Sequence, residues 1–180
     1  MMKTLFKTAL AISAFCSASA MAANFTLTSQ DIAEGHKMHR SFEYAGFGCQ
    51  GDNLSPQLSW QNVPEGTKSF AITAYDPDAP TGSGWWHWSV INLPASLASL
   101  PRGADMTKLG AREMRNDYGQ HAFGGACPPK DHGMHRYQFT VWALPEEKLA
   151  LDENSSAALV GFMLNSMALG KATLTATYVR

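Results

Sequence analysis

Between Tyr137 and Ala143, apolar Tyr137, Phe139, Val141 and Ala143 fall on every second position. A period of two places all four on one face of an extended chain, which a helix of 3.6 residues per turn cannot do. The pattern recurs along the sequence. Phe25 and Leu27 alternate with threonines, Phe70, Ile72 and Ala74 lead up to Asp76, and Ser89-Val90-Ile91-Asn92 leaves a tryptophan-rich segment. Near the C-terminus Leu174, Ala176 and Tyr178 oppose Thr173, Thr175 and Thr177, which predicts a last strand over Ala172–Val179. Gly and Pro punctuate the junctions, as in Val63-Pro64-Glu65-Gly66 and Leu93-Pro94. One helix is expected at about 155–169. Asn154 or Ser155 would cap it, Leu159, Val160, Phe162, Met163 and Met167 would supply its apolar residues, and Gly170 would end it. Pro145 to Leu149 is read as a shorter turn of helix. Many short strands with few helices predict a mainly β fold, a β-sandwich whose loops cluster at the sheet ends and carry function.

The N-terminus belongs outside that fold. Lys3 and Lys7 precede an apolar, small-residue stretch from Thr8 to Ala18, and Ala20-Met21-Ala22 offers the small residues a signal peptidase reads. Residues 1–22 are therefore read as a signal peptide cleaved before Ala23, with Ala18-Ser19-Ala20 as a second site, and 23–180 as one domain. The apolar stretch is too short to stay as a membrane span, and no later segment is long enough, so no integral membrane protein is expected. Loss of Lys3 and Lys7 moves the formal net charge from −1 to −3, and no basic stripe is left, which argues against a nucleic-acid partner. The pattern suits a bacterial periplasmic protein, with release from the cell as the second expectation. In that oxidising setting the two remaining cysteines, Cys49 and Cys127, most simply pair; a two-cysteine metal site is the alternative.

Four polar stretches stand among turn-forming residues: Asp52-Asn53-Leu54-Ser55-Pro56, Asp76-Pro77-Asp78-Ala79-Pro80, Gly84-Trp85-Trp86-His87-Trp88, and Cys127-Pro128-Pro129 leading to Gly133-Met134-His135-Arg136-Tyr137. The prolines at 77 and 80 remove two backbone donors, so the chain must turn there and leave two carboxylates at a strand exit. Either aspartate alone is explained as a turn residue. His87 alone is explained as a core histidine held by tryptophans, and His135 as a surface residue. Taken together, two aspartates, two histidines and several aromatics at strand ends suggest one shared pocket.

The segments Asp76–Pro80, Trp85–Trp88 and Gly133–Tyr137 resemble the signature segments of the phosphatidylethanolamine-binding protein family, which includes the Raf kinase inhibitor proteins. Thr81-Gly82-Ser83-Gly84 and Asn53-Leu54-Ser55-Pro56-Gln57-Leu58-Ser59-Trp60 resemble its bacterial YbhB/YbcL branch, and the similarity runs from about Phe25 to the C-terminus. The resemblance implies a sandwich of two antiparallel sheets with Greek-key connections and a small pocket for phosphate-type anions or phosphoethanolamine head groups. Carried over by motif, its ligand-binding residues are Asp76, Asp78, Pro80, Trp85, His87, Pro129, His135 and Tyr137. It also implies a cis Ala79–Pro80 bond, no cofactor, a binding or inhibitory role toward an unidentified protein partner, and a capacity of the branch to form homodimers. Mammalian members carry an extra C-terminal helix near the pocket; this chain ends on a strand, which predicts a more open mouth.

Two expectations concern the chemistry. Strand alternation assigns Trp85 and His87 to the ligand side and Trp86 and Trp88 to packing on the other face. Each neighbouring aspartate should raise a histidine's pKa, so that charged His87 and His135 donate to phosphate oxygens and binding strengthens as pH falls from about 8 to about 6. Two other functions compete. A hydrolase would use the His/Asp cluster, but no Gly-x-Ser-x-Gly elbow occurs and Ser83 and Ser89 are the only nucleophile candidates near His87. A metal site would use Asp76, Asp78, His87 and His135, without any His-x-x-x-His spacing to support it.

Overall fold

A computed structural model describes residues 23–180, so the expected signal peptide lies outside the described residues. The alternating segments form two packed antiparallel sheets. The smaller has the order β1 (Thr26–Thr28), β4 (Leu58–Gln61), β7 (Ser99–Leu100). The larger has the order β10 (Gly170–Tyr178), β9 (His135–Leu144), β5 (Ser69–Asp76), β6 (Trp85–Pro94), β8 (Arg112–Glu113). A two-stranded ribbon, β2 (Ala45–Gly46) and β3 (Cys49–Gln50), stands beside them.

The main core lies between the two sheets. Leu27, Leu58, Trp60 and Leu100 meet Phe70, Ile72, Val90, Phe139 and Val141, all buried. The far face of the large sheet is also covered. There α1 (Ala157–Met167) lays Val160 and Leu164 on Ala71, Ile91 and Trp142. This explains why β5 is buried at nearly every position and not at alternate ones: both of its faces are roofed. Thr73 is tolerated on the helix side because the indole N–H of Trp142 donates to its hydroxyl at 3.0 Å.

The helix differs in detail from its sequence reading. Ser156, not Asn154 or Ser155, caps it by accepting from the Leu159 N–H, and Ala168 closes it before Gly170 opens β10. Leu159 and Phe162 point to solvent, because Gly161 is the residue that meets the sheet, under the Trp86 ring. A Cβ there would stand 2.7 Å from that indole, so the close approach requires glycine. Pro145–Leu149 makes bends without helix; the Ser69 hydroxyl donates to the Glu146 carbonyl and the Leu149 N–H donates to the Asn92 side chain, so those groups bond outside the segment.

A second difference lies in β6. Pairing with β5 runs Ala74 to Trp88 and then Tyr75 to Trp86, so His87 is an extra residue in a bulge. Trp86 packs against Tyr75 with the rings tilted on the helix side, whereas Trp88 is buried in the core between the sheets beside Phe123. Trp86 and Trp88 therefore do not share a face. The bulge turns His87 and Trp88 to the same side, which lets the histidine reach the sheet end while its neighbour continues the core.

Candidate functional site

Antiparallel pairing brings four strand termini to one end of the large sheet. Asp76 ends β5 opposite Trp85, which begins β6, and His135 begins β9 opposite Tyr178, which ends β10. A cavity of about 360 Å³ opens there, a size suited to a small ligand. Seven of the eight expected site residues line it: Asp76, Pro80, Trp85, His87, Pro129, His135 and Tyr137. Phe47, Tyr118, Cys127 and Arg180 join them.

The eighth, Asp78, lies outside. Its carboxylate takes a two-point contact from the Arg136 guanidinium at 2.7 and 2.9 Å, plus the Arg136 backbone N–H. Hydrogen bonding from Arg136 holds the Asp78 carboxyl down to about 2. A carboxylate so occupied anchors the turn to β9. Its contribution to stability is complete above the unfolded carboxyl value of 3.8 and is lost as pH falls toward about 2. Arg136→Met is expected to flatten the dependence of urea stability on pH in that window; an unchanged slope would count against the anchor.

The Asp76–Thr81 turn closes without a cis bond, since no peptide among the described residues is cis. Asp76 Oδ1 accepts from the Asp78 N–H at 2.8 Å, and Thr81 N–H donates back to the Ala79 carbonyl at 2.8 Å around Pro80. An Asx turn followed by a three-residue turn centred on proline completes the reversal with the Ala79–Pro80 bond trans.

Asp76 is buried, and each of its carboxylate oxygens makes one hydrogen bond. Its Oδ2 accepts from His135 Nδ1 at 2.7 Å, and His135 Nε2 faces His132 Nδ1 at 2.8 Å. These two contacts link Asp76, His135 and His132 in a three-membered chain. His132 was not singled out by any motif.

His87 is set by backbone. Its Nδ1 lies 2.8 Å from the Gly124 carbonyl and 3.1 Å from the Gly125 carbonyl. Carbonyl oxygens only accept, so Nδ1 carries the hydrogen and the neutral ring presents Nε2 as a lone pair. Burial pushes the His87 pKa below its ordinary 6.5, overriding the Asp76 charge that works the other way. The expected rise is therefore reversed, because desolvation outweighs the neighbouring carboxylate. The carbonyls are held in turn by Asn53, which sits at φ 54°, accepts from the Gly125 N–H at 2.7 Å and donates to the Phe123 carbonyl at 3.1 Å. Gly125 itself must be glycine, since a Cβ would stand 2.5 Å from the Phe42 carbonyl oxygen.

Aromatic rings wall the cavity. Tyr118 stacks on Tyr44 with centroids 4.0 Å apart and meets Trp85 and His87 edge-on; Tyr137 meets His87 at 5.1 Å. Tyr118 donates its hydroxyl to the Gly125 carbonyl at 3.0 Å. Burial raises the phenol pKa values of Tyr118 and Tyr137, so both remain neutral donors. Trp85 Nε1, His87 Nε2 and the Tyr137 hydroxyl are buried with no hydrogen-bond partner among the described residues. A disulfide joins Cys49 to Cys127 with Cα atoms 6.0 Å apart, tying the β2–β3 ribbon, with Phe47 at its tip, to the Pro128-Pro129 rim.

The competing ligand sets are not assembled. Ser83 and Ser89 do not line the cavity. Asp78 turns away from Asp76, His87 and His135, and no group of three His, Cys, Asp or Glu side chains among the described residues is placed to hold a metal ion. No helix of the described residues is long and apolar enough to cross a membrane.

Comparison with known proteins agrees with this architecture. A family model described as phosphatidylethanolamine-binding protein matches residues 28–179. The UPF0098 protein YbcL of Escherichia coli strain K12 is 54% identical over 182 residues, covering 98% of this chain and 98% of YbcL. YbhB of the same strain is 47% identical over 156 residues, covering 84% of this chain and 98% of YbhB. The crystal structure of E. coli YbcL, described as a new member of the mammalian PEBP family, matches with a TM-score of 0.84 at 53% identity, covering 88% of this chain and 99% of that one. With its sheets, its motifs and these relatives in agreement, the chain belongs to the phosphatidylethanolamine-binding protein family.

Proposed function

We propose that this is an exported ligand-binding protein whose pocket takes one phosphate-type anion, either free or as the head group or phosphorylated side chain of a partner. The observation that carries this reading is the set of three orphaned polar atoms, Trp85 Nε1, Tyr137 Oη and His87 Nε2, buried around one cavity. Leaving such groups unpaired costs about 1–3 kcal/mol each, a cost that a polar ligand removes. The set is chemically specific. Trp85 and Tyr137 donate, while neutral His87 accepts, so the site matches an oxyanion that brings one proton or binds together with one. The walls around these atoms are apolar rings and prolines, which strengthen each contact by excluding water.

Export through residues 1–22 belongs to the proposal, and so does placement in the periplasm, where the disulfide is stable. N-terminal sequencing of protein recovered from a periplasmic extract is expected to begin at Ala23 or Met21. Ligand binding is tested by titration calorimetry with inorganic phosphate, O-phosphoethanolamine and sodium chloride as the blank. Saturable one-to-one binding of the phosphates, absent for chloride, is the expected result. No heat from either phosphate at millimolar concentration would remove the reading.

A further inference from the structure

The chain's last residue has a place in the pocket that no motif announces. Tyr178 pairs with His135, so the two residues beyond it run over the cavity and Arg180 joins its lining. The tail is fixed there: the Asp131 N–H donates to the Arg180 carbonyl at 3.3 Å. The guanidinium rests on the disulfide, with Nη1 3.6 Å from Cys127 Sγ and also in contact with Cys49 Sγ. Its Nε is buried with no hydrogen-bond partner among the described residues.

The side chain also makes no direct ion pair with a carboxylate side chain among the described residues. Among the described residues the ion pairs are Arg102–Asp31, Lys108–Asp105 and Arg136–Asp78, Asp76 is in contact with His135, and none of these involves Arg180. The nearby acids bond to other groups: Asp76 to the Asp78 N–H and His135, Glu43 to the Tyr178 hydroxyl and the Gln50 N–H, so that Glu43 feels the Arg180 charge only at a distance. An arginine is always charged, and disulfide sulfur is a poor partner for it. An unpaired guanidinium N–H lining an otherwise neutral set of donors is best explained by an anion that completes it.

We infer that Arg180 is the cationic contact of this site and that it makes the pocket prefer phosphomonoesters to phosphodiesters. The inference rests on the anion-pocket reading above. A monoester carries close to two negative charges at pH 8, because its second pKa is near 6, whereas a diester carries one. Trp85 and Tyr137 are neutral donors whose contacts change little with ligand charge, and any proton that His87 takes up on binding is common to the wild type and the Arg180 variants. Arg180 is the contact whose attraction scales with ligand charge. A free phosphate, or a phosphate on a metabolite or side chain, is thus favoured over the phosphate inside an intact phospholipid.

Titration calorimetry at pH 8 with methyl phosphate and dimethyl phosphate tests this on wild type, Arg180→Gln and Arg180→Lys. Wild type should prefer the monoester. Arg180→Gln should weaken methyl phosphate about tenfold or more, and dimethyl phosphate clearly less, so the preference collapses; Arg180→Lys should retain most of it. A purely structural role for Arg180 would instead weaken both ligands equally in Arg180→Gln and leave the ratio unchanged. That result, or no loss at all, overturns the inference while the anion-pocket reading stands. Failure of wild type to bind methyl phosphate overturns both. If Arg180→Gln does not fold, Arg180→Lys decides alone, since loss of the preference despite a retained charge counts against the assignment.

Discussion

Reduction of the Cys49–Cys127 bond, or its replacement by Cys49→Ser with Cys127→Ser, is expected to lower stability by about 4 kcal/mol. The bond closes a loop of 78 residues that contains β4 to β8, more than a third of the chain. On the chain-entropy account a loop of that length restrains the unfolded state by about 4–5 kcal/mol, and native disulfides typically contribute about 2–5 kcal/mol. Set against a total stability of about 5–15 kcal/mol for a domain, the loss is large. For a protein of this size it corresponds to a fall in Tm of roughly 8–16 °C, measurable by scanning calorimetry with and without reductant. The serine variant should be insensitive to reductant, and a shift under about 3 °C would show that the native ribbon is held by other contacts. Binding should weaken in the same variant for a separate reason. The bond ties the Phe47 tip to the Pro128-Pro129 rim and seats the Arg180 guanidinium, so its loss frees two sides of the cavity at once.

What could be read from residues alone was whatever depends on period and local turn chemistry. Tyr137, Phe139, Val141 and Ala143 share the core face because nothing interrupts β9, which pairs residue for residue with β10. The same reasoning fails at Trp86 and Trp88, because the bulge at His87 is a property of the pairing between β5 and β6. Its outcome is visible only when the partner strand is present. Asp76 and His87 were recognisable from motif. Asp78 sits in the same motif, yet Arg136, across the turn, draws it out of the pocket. Tyr118 and Arg180 carry no sequence signal, because neither belongs to a patterned segment. Tyr118 enters through stacking on Tyr44, and Arg180 through the register that carries β10 past His135. Period specifies faces, while contacts between distant segments specify the pocket's remaining walls.

The second large effect concerns His87. In the folded protein burial keeps its pKa below 6.5, so the ring is neutral at pH 7 and Nε2 meets the cavity as a lone pair. The sign for stability follows: the contribution is complete above the unfolded value of 6.5 and is lost as pH falls through the lower folded value, because only the unfolded chain takes up the proton in between. Binding has the opposite consequence. An anion against Nε2 favours the charged ring, which raises the pKa and draws a proton into the complex. Affinity for sulfate, which does not titrate near neutrality, is therefore expected to rise toward about tenfold per pH unit as pH falls from about 8 to about 6. Calorimetry in buffers of different ionisation enthalpy should register uptake approaching one proton. His87→Asn keeps a donor for the Gly124 carbonyl at the position of Nδ1 and deletes Nε2. It should fold, lose about tenfold or more in sulfate affinity at pH 6, and lose most of the proton uptake. The other ionisable groups lining the cavity, Asp76, Tyr118, His135, Tyr137 and Arg180, are untouched in that variant, as is His132 behind His135. Uptake that persists unchanged would assign the proton to the Asp76–His135–His132 chain and leave His87 a purely structural bridge between β6 and the Gly124-Gly125 carbonyls.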